Sequence, residues 1–130
     1  GQIILSSQVG HTLPLYCSAM GKAYLAEQSE EEVRKYLARI KIEKKTEKTI
    51  TNPEELIKNL EKVKQYGYAI DDQENEDEIY CISTVIKQNG KVEGVISVSS
   101  PIFRMTEEKK IKIITLLSQA RKKIERKLNG

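Results

Sequence analysis

The sequence predicts an α+β domain, in which helices pack on an antiparallel sheet. Two runs rich in β-branched residues, 79–86 and 92–99, flank a segment that carries Asn89 and Gly90, a pair typical of a hairpin turn. Amphipathic segments with helix-capping residues occur both before and after this hairpin. Because the one clear strand pairing is antiparallel, we expect helices around an antiparallel sheet.

The composition excludes several classes of protein. With 130 residues, the chain is long enough for one domain with its own core. The net charge is +3, and 22 basic residues are scattered among 19 acidic ones, unlike the basic patch of a nucleic-acid-binding surface. No apolar run approaches the roughly 20 residues of a membrane span. The two cysteines form neither a disulfide framework nor a CxxC metal knuckle, so we expect a cytoplasmic domain with free thiols and no membrane partner.

Four helices are expected from their capping residues. Ser18, Ser29, Asn52 and Thr106 each precede an amphipathic segment, and Gly67 is expected to end the third helix. Strands are expected over residues 3–7 and 68–71. The first helix carries small residues at Ala19, Ala23 and Ala26, which would let it lie close to a sheet. In the last helix we expect one buried stripe, formed by Ile111, Ile114, Leu117, Ile124 and Leu128.

The hairpin turn decides which side chains share a face of the sheet. A three-residue loop, 88–90, would place Cys81 opposite Ser97, whereas a two-residue turn would place it opposite Val98. In the second case the serines of the last strand would point to the other face. We predict the three-residue loop, with Gly90 at positive φ and Ser97 on the same face as Cys81.

Five short motifs occur in order along almost the whole chain. They are Leu13-Pro14-Leu15 followed by residues 18–25, then residues 46–56, 67–72, 81–83 and 96–101. Together they resemble the effector-binding, C-terminal domain of IclR-type bacterial transcriptional regulators. The resemblance implies a GAF-like fold, with a curved antiparallel sheet flanked by helices. It also implies that residues 1–130 lack the first N-terminal elements of that domain and the winged helix-turn-helix DNA-binding domain.

The resemblance further implies a site for a small organic acid between the sheet and the first helix. The ligand-binding residues it implies are the backbone N–H groups of Ala19 and Met20, the polar side chains of Asp71, Cys81, Ser97 and Ser99, and an apolar wall of Leu5, Leu13 and Ile79. Hydroxyls and a helix N-terminus would supply neutral donors to a carboxylate. Asp71 would then have to accept a hydrogen bond from a ligand hydroxyl or carry a proton itself.

This sequence departs from the family pattern at two places near that site. Met20 stands where relatives often have a smaller residue, and residues 75–78 are acidic where relatives usually have small ones. The resemblance otherwise implies a sensor without a cofactor or catalytic residues. It would act as a dimer or tetramer, in which the effector changes the oligomer geometry, and would reach operator DNA only through the missing domain.

Two other functions stay open at this point. His11, Cys17, Asp71 and Cys81 are residue types that suit zinc, although their spacing matches no known metal motif. The chain could thus be a metal-binding sensor of the same fold. Less favoured is a cysteine-dependent enzyme with Cys17 as nucleophile and His11 as base, because six residues along a loop are no evidence of contact.

Overall fold

An antiparallel sheet separates helices on its two faces in the computed structural model of this protein. The structure describes the backbone of residues 2–5 and all atoms of residues 14–130. The elements are β1 (Gln2–Leu5), α1 (Ala19–Leu25), α2 (Glu30–Arg39), α3 (Pro53–Tyr66), β2 (Ala69–Asp72), β3 (Ile79–Gln88), β4 (Lys91–Pro101), a 3₁₀ turn (Ile102–Arg104) and α4 (Glu107–Asn129). The strand order is β1-β4-β3-β2, and neighbours are antiparallel throughout. The predicted α+β fold with helices on both faces is confirmed.

The helix boundaries follow the predicted caps. Ser18, Ser29, Asn52 and Thr106 each accept a hydrogen bond from the backbone N–H three residues later, at 3.0–3.2 Å. These bonds satisfy donors that would otherwise have no partner at the helix start. Gly67 ends α3 with φ 84°, a left-handed conformation that glycine adopts without steric cost.

The two faces of the sheet bury different side chains. On one face, Ile82, Ile96 and Val98 pack with Ile113 and Leu117 of α4. On the other, Ala23 of α1 and Val63 of α3 pack against three small side chains of the sheet, namely Ala69, Val85 and Val95. Alternation along each strand therefore assigns every sheet residue to either the α4 face or the α1 face.

The expected stripe on α4 is partly wrong. Ile113 and Leu117 are the buried residues of this helix, and Ile114 packs beside them. Ile111 and Leu128, which the prediction placed in the core, are 66% and 40% exposed. The helix is rotated relative to the prediction because its contact with the sheet is centred on the 113/117 pair, one helical turn apart.

The predicted hairpin loop is wrong, and so is the predicted pairing of Cys81 with Ser97, because Cys81 pairs with Ser99; the prediction that Cys81 and Ser97 share a face is correct. Gln88 pairs with Lys91, so Asn89 and Gly90 form a two-residue turn with φ 53° and 77°. Lys87 then pairs with Val92 but Ile86 pairs with Gly94, which leaves one extra residue in β4. This β-bulge shifts the register by one residue and returns the serines to the Cys81 face.

No helix among the described residues is long and apolar enough to span a membrane.

Candidate functional site

Polar side chains of three strands lie together on the α1 face of the sheet. Cys81 pairs with Asp71 of β2 on one side and with Ser99 of β4 on the other. The neighbouring row contains Ser83, which pairs with Ser97. Residues that pair across an antiparallel ladder point to the same side. These five residues, Asp71, Cys81, Ser83, Ser97 and Ser99, are called the polar face below.

Hydrogen bonds connect the side chains of the polar face in pairs. The Cys81 thiol donates to the Ser99 hydroxyl at 3.2 Å, and the Ser83 hydroxyl donates to the Ser97 hydroxyl at 2.8 Å. Ser83 and Ser97 are buried, whereas Cys81 and Ser99 are half-buried. Ser83 was not among the predicted site residues, although it lies two positions after Cys81 and strand periodicity would have placed it on the same face.

The helix α1 lies over this face of the sheet. Ala23 and Met20 pack against the small residues that continue the polar rows, including Ala69 and Val85. The start of α1 approaches the preceding segment so closely that a Cβ at Gly21 would overlap the backbone of Leu15. The N–H groups of Ala19 and Met20 belong to the first turn, which precedes the intrahelical hydrogen-bond ladder.

Asp71 is the charged member of the polar face. Its side chain is buried, and Oδ1 accepts hydrogen bonds from the backbone N–H groups of Glu74 at 2.7 Å and Asn75 at 3.3 Å. Burial, together with the nearby Glu74 carboxylate, raises the pKa of Asp71 to about 6, although the two backbone donors oppose that rise. A carboxyl with this pKa can take up a proton near neutral pH when another negative charge approaches.

A second buried polar group lies beside Asp71 and was not predicted. Lys22 of α1 is 1% exposed, and its ammonium donates to both carboxylate oxygens of Glu74, at 2.8 and 3.0 Å. It also donates to Asn59 Oδ1 of α3 at 3.1 Å. These three acceptors satisfy the three donors of a lysine ammonium. The pair thus ties α1, α3 and the segment after β2 together without an unsatisfied buried charge.

The segment after β2 is held from a third side by two buried threonines. The Thr49 hydroxyl donates to the Glu74 carbonyl at 2.6 Å, and the Thr46 hydroxyl donates to the Gln73 carbonyl. Thr46 is buried, although it lies in the charge-rich stretch 41–48. Residues 73–75 therefore have a defined position next to Asp71.

The structure places the predicted site residues as follows. One face of the sheet carries the four predicted polar side chains, Asp71, Cys81, Ser97 and Ser99. Ile79 lies on the same face at the end of β3, opposite Pro101. Ala19 and Met20 lie in the first turn of α1. In the register of β1, Leu5 lies opposite Ile96, a residue of the α4 face, whereas Ile4 lies opposite Ser97. Position 4 of β1, and not position 5, therefore belongs to the α1 face. Leu13 and His11 lie outside the described residues.

The two alternative functions find little support in the described residues. Within residues 14–130, no three His, Cys, Asp or Glu side chains cluster in a way that could hold a metal ion, and His11 of the predicted zinc set lies outside that range. Burial and the nearby Asp71 carboxylate raise the pKa of Cys17 to about 11, and burial also raises the pKa of Cys81. The reactive thiolate of either cysteine is consequently scarce at neutral pH.

Two of the cavities lined by described residues lie close to the helices and away from the polar face. One, of about 230 Å³, lies where α1, α2 and α3 meet, near Leu25, Val33 and Leu60. The other, of about 410 Å³, lies on the α4 face between Tyr68 and Arg121. Neither is lined by the polar face, so neither cavity coincides with the predicted site.

Comparison with known proteins identifies the class of protein to which this fold belongs. Residues 2–126 match the family described as bacterial transcriptional regulator IclR C-terminal. The HTH-type transcriptional regulator KdgR of Escherichia coli is 35% identical over 119 residues, which cover 91% of this chain and 45% of that protein. The chain thus spans less than half the length of this curated relative.

Solved structures agree with that match. The C-terminal domain of E. coli KdgR superimposes with a TM-score of 0.84 at 33% identity, over 90% of this chain and 72% of that one. The Thermotoga maritima IclR superimposes with a TM-score of 0.85 at 37% identity, over 100% of this chain and 53% of that one. The fold is that of a regulatory domain of a bacterial transcription factor. The chain belongs to the IclR family and corresponds to the C-terminal domain of its members.

Proposed function

We propose that this chain is the ligand-sensing domain of a bacterial transcriptional regulator and that a small organic acid binds between its polar face and the first turn of α1. The observation that carries the proposal is the position of Ser97, Ser99 and Cys81 on one face of the sheet, the face against which α1 packs. Small hydroxyl and thiol groups, buried at Ser97 and half-buried at Cys81 and Ser99, are suited to hydrogen-bonding a compact polar ligand.

The hydrogen-bonding capacity of this face supports a carboxylate-bearing ligand. The Ser97 hydroxyl accepts from Ser83, so its own O–H group can donate to a ligand oxygen. The Ser99 hydroxyl accepts from Cys81 in the same way. Two hydroxyl donors, together with the N–H groups of Ala19 and Met20, would surround a carboxylate with neutral donors, which stabilise it in a site of low polarity.

Asp71 sets a requirement on the ligand. Its Oδ1 is occupied by two backbone donors, whereas Oδ2 accepts no hydrogen bond from the described residues. A ligand hydroxyl could donate to Oδ2, or Asp71 could become protonated as the ligand carboxylate arrives. Only the second route predicts that a carboxylic acid binds more tightly as the pH falls from 7 towards 5, because the first needs Asp71 in its ionised form.

The function of the whole protein follows the family pattern in this proposal. A DNA-binding domain outside residues 1–130 would bind the operator, and the ligand would alter operator binding through the geometry of a homo-oligomer. Because such a regulator acts on bacterial DNA, we place it in the cytoplasm, with no catalytic role. Light scattering tests the self-association of this chain, for which we expect a dimer or a tetramer.

A thermal-shift screen tests the ligand proposal. Glycolate, lactate, pyruvate, succinate and benzoate are each compared with the corresponding neutral amide at equal concentration. A ligand that binds only the folded state at 100 times its Kd stabilises it by about 2.7 kcal/mol. We expect at least one acid, but not its amide, to raise Tm. The proposal is wrong if no acid raises Tm, or if acids and amides act equally.

A pair of serine variants locates the binding. Ser97→Ala should weaken binding of that acid by about 1–3 kcal/mol, the contribution of a hydrogen bond to a charged group. Ser118→Ala, on α4, is the matched control, because Ser118 lines the cavity of the α4 face. Equal affinity of the wild type and Ser97→Ala would remove Ser97 from the site.

A further inference from the structure

The buried Lys22–Glu74 pair lies next to the proposed ligand site, and its arrangement assigns it a role beyond the fold. Of all the acidic and basic side chains among the described residues, counting Asp, Glu, Lys and Arg, three are buried, namely Lys22, Asp71 and Glu74. The Lys22 ammonium pairs with the Glu74 carboxylate at 2.8 Å. Of the two buried carboxyl groups, Asp71 is therefore the one without an ion-pair partner among the described residues. The three groups thus form one connected unit.

Glu74 connects Lys22 to Asp71 through its own backbone. Its side chain accepts two hydrogen bonds from Lys22, while its N–H donates to Asp71 Oδ1 at 2.7 Å. Its carbonyl accepts from Thr49, so the residue is fixed from three directions. A shift of the Glu74 side chain would therefore move the donor that orients the Asp71 carboxylate.

The backbone around Glu74 gives a reason why such fixing is needed. Gln73 and Glu78, at the two ends of the acidic segment after β2, have φ values of 60° and 65°. Residues other than glycine, asparagine and aspartate adopt this left-handed region rarely, and they persist there only when surrounding contacts hold them. Gln73 is held directly, because its N–H donates to the Ile79 carbonyl at 3.0 Å and its carbonyl accepts from the Thr46 hydroxyl. The contacts of the next residue, Glu74, with Lys22 and Thr49 hold the same segment.

We propose that Lys22 is a positioning residue of the ligand site, which acts through Glu74 to hold the Asp71 carboxylate and residues 73–75 in the geometry that receives the ligand. This inference rests on the proposed function for its biological meaning. Its physical content, that Lys22 positions Asp71, is tested without any ligand.

Amide resonances of Glu74 and Asn75 report directly on Asp71, because both N–H groups donate to its Oδ1. In Lys22→Met we expect these two resonances to move and their hydrogen-exchange protection to fall at least tenfold relative to the most protected amides of β3. Glu74→Gln should keep the protection of the Asn75 amide, since one side-chain oxygen can still accept from Lys22. The pKa of the Asp71 carboxyl, followed by carbon-13 NMR, should change in Lys22→Met and not in the control variant Lys64→Met.

Lys64→Met is the matched control. Lys64 of α3 bonds Glu27, directly after α1, at 2.9 Å, so this variant breaks another ion pair between the α1 region and α3 away from the polar face. Because Lys22→Met leaves Glu74 buried without a cation and could unfold, the double variant Lys22→Met with Glu74→Gln is compared with Glu74→Gln alone. The double variant removes both members of the ion pair, so neither stays buried without its partner, whereas Glu74→Gln alone leaves the Lys22 ammonium with neutral acceptors.

Two outcomes decide between positioning and a purely structural role. If Lys22→Met or the double variant moves the Glu74, Asn75 and Asp71 signals while Lys64→Met does not, Lys22 positions Asp71. If the variants only lower stability and these signals match those of the wild type, the proposal is overturned. Absence of any binding acid would contradict the proposed function instead, and it would leave the NMR result on Lys22 unaffected.

Discussion

Cys81 lies directly opposite Ser99 across β3 and β4, and its thiol donates to the Ser99 hydroxyl at 3.2 Å. This pairing exists because β4 contains one residue more than β3 between the turn and Gly94. Without the bulge, the Asn89–Gly90 turn would place Val98 opposite Cys81. The polar face therefore depends on a local irregularity of the hairpin.

The turn is tested by a glycine substitution at position 90. Gly90 has φ 77°, where an alanine side chain costs about 1 kcal/mol or more. Gly90→Ala should lower the free energy of unfolding by that amount in urea denaturation. Gly94→Ala is the control, because a Cβ there meets no atom within 4 Å and its φ is not in the left-handed region. Equal effects of the two substitutions would argue against this turn.

The hydrogen bond between Ser83 and Ser97 should appear in stability as well as in binding. Both residues are buried, so Ser97→Ala leaves the Ser83 hydroxyl without its acceptor at a cost of about 1–3 kcal/mol. Replacing both serines by alanine removes the unsatisfied group, and the double variant should lose less than the two single losses combined. A double-mutant cycle by urea denaturation measures this coupling, and strict additivity would show that the two hydroxyls do not interact.

Asp71 should make the folded state less stable as the pH rises. Its pKa is about 6 in the folded protein against 3.8 for the ordinary side chain, so the folded state binds more protons between these values. The free energy of unfolding should therefore fall between about pH 4 and pH 6, by roughly 3 kcal/mol at most. Asp71→Asn keeps the acceptor oxygen for Glu74 and Asn75 but cannot ionise.

Urea denaturation at pH 4, 5, 6 and 7 measures this contribution as the difference between the wild type and Asp71→Asn. The variant should gain stability relative to the wild type as the pH rises through this window. Parallel pH curves for the two proteins would show that Asp71 titrates equally in the folded and unfolded states.

Gly21 should tolerate no side chain. A Cβ at this position would overlap the backbone of Leu15, and backbone atoms cannot rotate away as a side-chain tip can. Gly21→Ala should destabilise the fold by roughly 3 kcal/mol, at the upper end of overpacking effects, and displace the start of α1. Thermal denaturation checks the stability, with Gly94→Ala as the control; a change below about 1 kcal/mol would show that α1 is not so close to Leu15.

The sequence alone was sufficient to predict the features that depend on residues close together along the chain. The four N-caps and the αL end of α3 at Gly67 follow from local hydrogen bonding and are confirmed. Strand periodicity also placed Ser97 and Ser99 on one face correctly, whereas their shared face with Cys81 was predicted from a three-residue loop that the hairpin does not have. The turn type was wrong because counting from a loop assumes an uninterrupted ladder. Gly94, a glycine inside a strand, was the signal for a bulge.

Contacts between distant parts of the chain could not be predicted in this way. Lys22 and Glu74 are 52 residues apart, and Thr49 and Glu74 are 25 apart. From the sequence, Lys22 and Glu74 would be expected at the surface, since lysine and glutamate are rarely buried. Their burial follows from the tertiary arrangement of α1, α3 and the segment after β2, which no local pattern specifies.

Mapping of a bound acid by amide NMR tests the central claim most directly. An acid from the thermal-shift panel is titrated into the labelled chain while backbone amide resonances are followed. The account predicts that the largest shifts cluster at Ala19, Met20, Asp71, Cys81, Ser97 and Ser99. Shifts confined to the α4 face around Ile114 and Arg121, or no saturable shifts with any acid, would contradict it.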